Sequence, residues 1–159
     1  MIDLHCHILP GVDDGARDWE TSLEMARIAE ADGIHTIVAT PHHRNGMYDN
    51  DVATIMQLTD ELNERLQAAN IGVKVLPGAE THYYPDFATD LKKGEVLSVN
   101  RSKYVYLELP HQQVPRYIND MAFEIVIQGY TPIIPHPERN REIRENPDLL
   151  YSLVEAGAI

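Results

Sequence analysis

Short apolar runs alternate five times with longer amphipathic segments along the 159-residue chain. The apolar runs predict a buried strand at Ile2 and Leu4 and four more strands over residues 36–40, 73–76, 104–107 and 131–134. Apolar residues at helical spacing predict helices over residues 19–31, 51–69, 87–93, 115–128 and 147–156. Short apolar strands between amphipathic helices are typical of parallel strands covered on both faces, so the predicted fold class is α/β. A parallel (β/α) barrel and an open doubly wound sheet both fit this alternation.

Residues with capping chemistry mark several of the predicted helix ends. We expect Asp18 to be the N-cap of the first helix, and Asn50 or Asp49 to cap the second. Gly33 and Gly129 follow the first and fourth helices, where glycine commonly adopts a left-handed conformation. The capping residues therefore support the helix ends that the hydrophobic periodicity predicts.

Composition narrows the class of protein without identifying a function. A hydrophobic content of 43% and a charged content of 24% are ordinary for one globular domain. The net charge of −12 argues against broad attraction to nucleic acid or anionic lipid. No apolar run is long enough to insert into a membrane, and the first residues lack the pattern of a signal peptide. The single cysteine excludes an internal disulfide and favours a reducing, cytoplasmic location.

Metal-binding residue types stand at or just after the predicted strand ends. His5 and His7 are two residues apart, so their imidazoles point to the same side of an extended chain. The series continues at intervals of 37, 38, 28 and 28 residues from His5 through His42, Glu80, Glu108 and His136. Functional groups of (β/α) barrels gather at this end of the strands, which favours the barrel. Mixed imidazole and carboxylate ligands suit manganese, iron or zinc.

Several motifs resemble those of the PHP (polymerase and histidinol phosphatase) metallo-phosphoesterases. They are His5-Cys6-His7, Asp13-Asp14-Gly15, Thr40-Pro41-His42-His43, Gly78-Ala79-Glu80 and His136-Pro137-Glu138-Arg139-Asn140. Residues 3–15 and 136–140 are more narrowly similar to the Gram-positive bacterial protein-tyrosine phosphatases of the YwqE/CpsB type. The resemblance implies a distorted TIM-like barrel of seven strand–helix units, of which this sequence holds about the first five. Residues 1–159 would then be a single PHP domain that is truncated at its C-terminal end, because the family's late Ser-Asp-Ala-His segment is missing.

The resemblance also implies up to three divalent ions, most commonly manganese. The implied ligands are His5, His7 and Glu80 for the first ion, Asp14 and His42 for the second, and Glu80, Glu108 and His136 for the third. Arg139 and His42 would be catalytic, with Arg139 pairing with phosphate oxygens. His43 and Arg44 would contact the substrate at the rim of the site.

The function implied is hydrolysis of phosphotyrosine on a protein by metal-bound hydroxide. The substrate would be a bacterial tyrosine kinase of exopolysaccharide or capsule synthesis, and the enzyme would act without nucleic acid, with homo-oligomerisation possible. Two alternatives remain open: a phosphoesterase acting on a small phosphate such as histidinol phosphate, and an inactive metal-binding fragment. Cys6 is not expected to be a nucleophile, because a cysteine-dependent tyrosine phosphatase needs an arginine six residues later and Val12 stands there.

Overall fold

Parallel strands and helices alternate along residues 1–159, all of which are described by a computed structural model. The strands are β1 (Ile2–Cys6), β2 (Thr36–Ala39), β3 (His42–His43), β4 (Lys74–Pro77), β5 (Glu80–His82), β6 (Tyr104–Glu108) and β7 (Thr131–Ile133). The helices are α1 (Trp19–Ala31), α2 (Val52–Ala68), α3 (Phe87–Lys93), α4 (Ile118–Ile127), α5 (Arg141–Glu145) and α6 (Asp148–Glu155), with 3-10 turns at Val99–Arg101 and Pro137–Arg139. None of the helices combines the length and apolar character needed to cross a bilayer.

Two of the five predicted strands are each followed by a second short strand. The residue pair Thr40-Pro41 separates β2 from β3, and Gly78-Ala79 separates β4 from β5. Proline has no backbone N–H to give to a ladder. A side chain at Gly78 would lie 3.0 Å from Val38 Cγ1, so glycine allows close packing against β2. The sequence pattern missed β3 and β5, which instead were expected to be loop.

The strands form two parallel sheets, with the orders β1-β2-β4 and β3-β5-β6-β7. Because β3 continues β2 and β5 continues β4, five parallel segments follow one another in chain order. The predicted parallel α/β class is confirmed. The sheets do not close into a barrel over residues 1–159, since β1 and β7 are not paired. Five short parallel segments are too few for the closure that a barrel requires.

The helix ends follow local chemistry with two corrections. Asp18 caps α1 by accepting a 2.8 Å hydrogen bond from Thr21 N, as predicted. The N-cap of α2 is Asp51, and neither Asn50 nor Asp49 has that role. Asn50 instead donates its amide to the carbonyls of Val12 and His42, at 2.9 and 2.7 Å. The predicted start of α4 at residue 115 is also wrong, because the helix begins at Ile118.

Two apolar clusters support the sheets. One packs α1 and α2 against β2 and β4, and the other packs α3, α4 and α6 against β6. The expectation that Ile2 and Leu4 are buried is wrong, since their exposed fractions are 54% and 55%. Strand β1 lies at the edge of its sheet and pairs only with β2. Ile2 and Leu4 alternate with His5, which lies on the other face of the strand and meets the candidate site.

Candidate metal centre

The first two ligand candidates converge at the end of β1. The Nε2 atoms of His5 and His7 lie 3.3 Å apart. Glu80 Oε2, at the start of β5, lies 3.2 Å from both of these nitrogens. The alternation of side chains along a strand explains why the two imidazoles share a face. Parallel pairing of β3 with β5 then brings Glu80 beside His42.

The loop after β1 orients His7. Asp13 Oδ2 lies 2.7 Å from His7 Nδ1 and accepts a 3.1 Å hydrogen bond from the His42 backbone N–H. When His7 carries its proton on Nδ1 and donates a hydrogen bond to Asp13, the Nε2 lone pair is free for a metal ion. Burial lowers the pKa of His7, but the hydrogen bond with Asp13 and the negative charges of Asp13 and Glu80 outweigh this effect and raise the pKa to about 10. The Asp13 carboxylate therefore connects the His7 side chain to the backbone of β3.

Gly15 allows the same loop to pass directly over His7. An added Cβ at this position would lie 2.1 Å from the His7 carbonyl oxygen and 2.4 Å from His7 Cβ. The Ala16 N–H also donates to the His7 carbonyl, at 3.0 Å. The Asp-Asp-Gly motif therefore combines a hydrogen-bonding carboxylate, an exposed carboxylate and a residue without a side chain.

His42 and Glu108 extend the cluster toward β6. His42 Nδ1 lies 3.3 Å from Glu80 Oε2 and 3.6 Å from Glu108 Oε2, and its Nε2 lies 3.7 Å from Asp14 Oδ1. His82 Nδ1 contacts Glu108 Oε2 at 3.3 Å. Burial would raise the pKa of Glu108, but the close contacts with His42 and His82 lower it to about 2. Glu80 is fully buried, and contacts with His136, His5 and His7 hold its pKa well below its usual range despite that burial.

Three groups of side chains place one ligand atom each within 4.8 Å of one another. These groups are His5, His7 and Glu80; His7, Asp14 and His42; and His42, Glu80 and Glu108. The first reproduces the set implied for the first ion, and the second adds His7 to the implied pair. The third contains His42 where the family resemblance implies His136. His136 Nε2 instead lies 2.5 Å from Glu80 Oε1, on the other oxygen of the shared carboxylate.

The donor set fits divalent ions. Glu80 Oε2 and His42 Nδ1 are both buried and have no partner in hydrogen-bonding geometry, although they lie 3.3 Å apart. Buried polar atoms without hydrogen bonds are costly, and a cation near both would compensate them. Imidazole nitrogens and carboxylate oxygens are ligands that manganese, iron and zinc accept. Glu80 offers oxygens to more than one group, as a bridging ligand does.

The three other predicted site residues occupy different surroundings. Arg139 is exposed in the 3-10 turn after His136 and forms no ion pair with the chain. His43 is buried, with Nδ1 3.0 Å from Asp49 Oδ1, and burial lowers its pKa. Arg44 pairs with Asp90 at 2.7 Å and stacks on the Tyr84 ring at 4.4 Å. Its guanidinium is therefore already engaged by α3 and the segment before it.

Tyr106 is a site residue that the sequence pattern did not reveal. Its hydroxyl donates to the Leu4 carbonyl, and its ring meets the His5 ring edge-on with centroids 5.3 Å apart. The residue thus joins β6 to β1 across the two sheets and supports His5. It precedes Glu108 by two residues, so the alternation along β6 could have placed both on one face.

The fold and the cluster together define a parallel α/β domain that carries a candidate metal centre of histidines and carboxylates. All 159 residues match the profile of the family described as capsular polysaccharide synthesis, CpsB/CapC. The chain belongs to this CpsB/CapC family.

Individual relatives give the same result. The chain is 53% identical to the tyrosine-protein phosphatase YwqE of Bacillus subtilis (strain 168), with 99% of the chain aligned to 62% of YwqE. It is 35% identical over its full length to 62% of the putative tyrosine-protein phosphatase CapC of Staphylococcus aureus. Identity to CpsB of Streptococcus pneumoniae is 31%, over 99% of the chain and 65% of CpsB. The chain therefore spans less than two thirds of the length of these relatives.

A solved structure matches the fold at a TM-score of 0.96 and 53% identity, covering 99% of the chain and 64% of the solved one. It comes from the crystal structures of YwqE from B. subtilis and CpsB from S. pneumoniae, described as unique metal-dependent tyrosine phosphatases.

Proposed function

We propose that this chain contributes the metal centre of a metal-dependent protein-tyrosine phosphatase that acts in capsule or exopolysaccharide synthesis. The observation that carries the proposal is the convergence of four histidines and two carboxylates on one face, with Glu80 at the centre. The naming of YwqE, CapC and CpsB as tyrosine-protein phosphatases supports the same activity. The substrate would be a phosphotyrosine protein, and a bacterial tyrosine kinase of the same process is the partner we propose. The single cysteine favours a cytoplasmic location.

The residues would hold up to three ions, for which we propose manganese, in a PHP-type barrel to which residues 1–159 contribute strand–helix units. His5, His7, Asp14, His42, Glu80, Glu108 and His136 are the proposed ligands. Such ions would supply positive charge to phosphate oxygens and lower the pKa of water. Asp13 fixes the orientation of the His7 ring, and His82 fixes the orientation of the Glu108 carboxylate.

Arg139 is the proposed phosphate-binding residue. Arg139 follows His136 by three residues in the chain. Its guanidinium has no carboxylate partner, so it is available for two hydrogen bonds to phosphate oxygens. The phenolate of tyrosine leaves with a pKa of about 10, so it requires less protonation than a serine alkoxide. His43 and Arg44 are proposed to shape the rim. The hydrogen bond to Asp90 holds Arg44, the residue that follows His43, in place at that rim.

The function is tested on the full-length, manganese-loaded protein with Arg139→Ala. We expect turnover of phosphotyrosine peptides to fall by about 100-fold or more, because losing a charged contact that strengthens in the transition state costs several kcal/mol. Metal content measured by mass spectrometry should remain within error of the parent protein. Arg144→Ala, an exposed arginine of α5, is the matched control.

Three results would contradict the proposal. An equal loss of metal and activity in Arg139→Ala would give Arg139 a structural role instead. Efficient hydrolysis of histidinol phosphate with no turnover of phosphotyrosine peptides would favour a small-molecule phosphoesterase. A metal content of one ion or none in the full-length protein, together with no turnover, would favour an inactive metal-binding protein.

A further inference from the structure

A pocket of about 790 Å³ is lined by residues of the segments that follow His82, Glu108 and Arg139. It lies between the loop that follows β6 and the start of α5, and Tyr83 forms part of its wall. Tyr83 directly follows His82, whose ring lies 5.3 Å from the Tyr83 ring and whose Nδ1 contacts Glu108. Through Tyr83 and His82, the wall of the pocket is therefore connected to Glu108 of the metal centre.

The far wall of the pocket is fixed by hydrogen bonds. Asn140 is 3% exposed, and its amide donates to the carbonyls of Pro110 and Gln113 at 2.7 and 3.1 Å. Glu142 accepts a 2.6 Å hydrogen bond from the Val114 N–H. These bonds join the loop after Glu108 to the segment that follows Arg139. A binding surface held in this way loses little entropy when a ligand arrives.

The charges in the pocket leave one cation without a partner. Arg141 Nε pairs with Glu145 Oε1 at 2.9 Å. Glu142 already accepts a hydrogen bond from the loop backbone. Arg116 lines the pocket, is exposed and forms no ion pair within the chain. In a chain of net charge −12, an unpaired guanidinium in this pocket favours a negatively charged ligand group.

Two tyrosine rings give the pocket an aromatic side. Tyr83 and Tyr117 have ring centroids 6.0 Å apart, at an angle of 46°. Tyr117 keeps an exposed fraction of 43%, so its ring is available for contact. Exposed aromatic rings with a neighbouring arginine are common in protein-recognition surfaces.

We propose that this pocket binds the polypeptide segment flanking the phosphotyrosine, with an aspartate or glutamate of that segment paired to Arg116. The inference rests on the proposed function, since it requires a phosphotyrosine to occupy the neighbouring metal centre. The tyrosine rings then contact the flanking backbone and side chains. Substrate preference follows from this arrangement: phosphotyrosine sites with nearby acidic residues are hydrolysed in preference to those with basic ones.

The test compares Arg116→Ala and Arg116→Glu with the parent full-length enzyme. The substrates are three phosphotyrosine peptides that differ only in having Glu, Gln or Lys at the three positions on either side, together with p-nitrophenyl phosphate. We expect the parent enzyme to favour the Glu peptide over the Gln peptide by roughly threefold in kcat/KM, the scale of an exposed ion pair. Arg116→Ala should remove that preference through a higher KM, and Arg116→Glu should reverse it toward the Lys peptide.

The controls separate the pocket from the catalytic site. Hydrolysis of p-nitrophenyl phosphate, which has no flanking segment, should be unchanged in both variants. Arg144→Ala should keep the full peptide preference, because Arg144 does not line the pocket. Normal turnover with identical peptide preference in the parent enzyme and Arg116→Ala would overturn the pocket assignment alone. Absence of hydrolysis of all four substrates by the metal-loaded parent would overturn the proposed function, and the pocket assignment with it.

Discussion

Gly15→Ala places a methyl group where the loop after β1 crosses His7. The φ angle of Gly15 is not in the left-handed region, so alanine is compatible with the backbone conformation. The effect is therefore purely steric. The added Cβ would lie 2.1 Å from the His7 carbonyl oxygen and 2.4 Å from its Cβ.

The required displacement follows from these distances. Carbon atoms pack at about 3.5–4.0 Å, so His7 or the loop must move by at least about 1 Å. Overpacking of this kind costs about 1–3 kcal/mol of folding free energy. Metal–ligand distances tolerate only about 0.2 Å, so a shift of this size is larger than a metal site accepts. Two of the three ligand groups contain His7, and the third consists of His42, Glu80 and Glu108.

The assay is metal content per chain, measured beside thermal unfolding. We expect Gly15→Ala in the full-length protein to lose the ions of the two groups that contain His7 and to retain an ion at the third. Gly33→Ala is the matched control, because an added Cβ there has no atom within 4 Å and only the φ of +81° is unfavourable. That control should lose about 1 kcal/mol of stability and no metal. Parent-level metal content and melting temperature in Gly15→Ala would refute the reasoning.

Two further predictions concern side chains around β1. Burial, with the charges of Asp3 and Asp13, raises the pKa of Cys6 to about 12, so the thiolate is scarce at neutral pH. Alkylation of the native protein by iodoacetamide at pH 8 should be on the order of a thousandfold slower than after denaturation and should accelerate as the pH rises; rapid native labelling would contradict this. Tyr106→Phe keeps the ring against His5 but leaves the Leu4 carbonyl without its donor, which should cost about 1 kcal/mol in chemical denaturation with metal content retained. A variant as stable as the parent would show that the hydroxyl contributes nothing.

The sequence alone determined the alternation of strands and helices and several of their boundaries. Helices α1 and α3 cover the predicted residues, because an N-cap aspartate or a following glycine and a 3.6-residue period act locally. It also placed His5, His7, Glu80, Glu108 and His136 at or near strand ends. Parallel strands bring such positions to one edge, so their convergence follows from the order of residues and the direction of the strands.

Tertiary structure decided how those residues meet. Register between β3 and β5 pairs His42 with Glu80, and the left-handed backbone at His136 turns its ring toward the other oxygen of Glu80. Neither fact has a signal in periodicity, because each depends on a neighbouring segment that is distant in sequence. The same is true of the free guanidinium of Arg116 in its pocket. Hydrophobic pattern and capping act over a few residues, whereas ligand groups, pockets and free charges depend on side chains that only the packed sheets bring together.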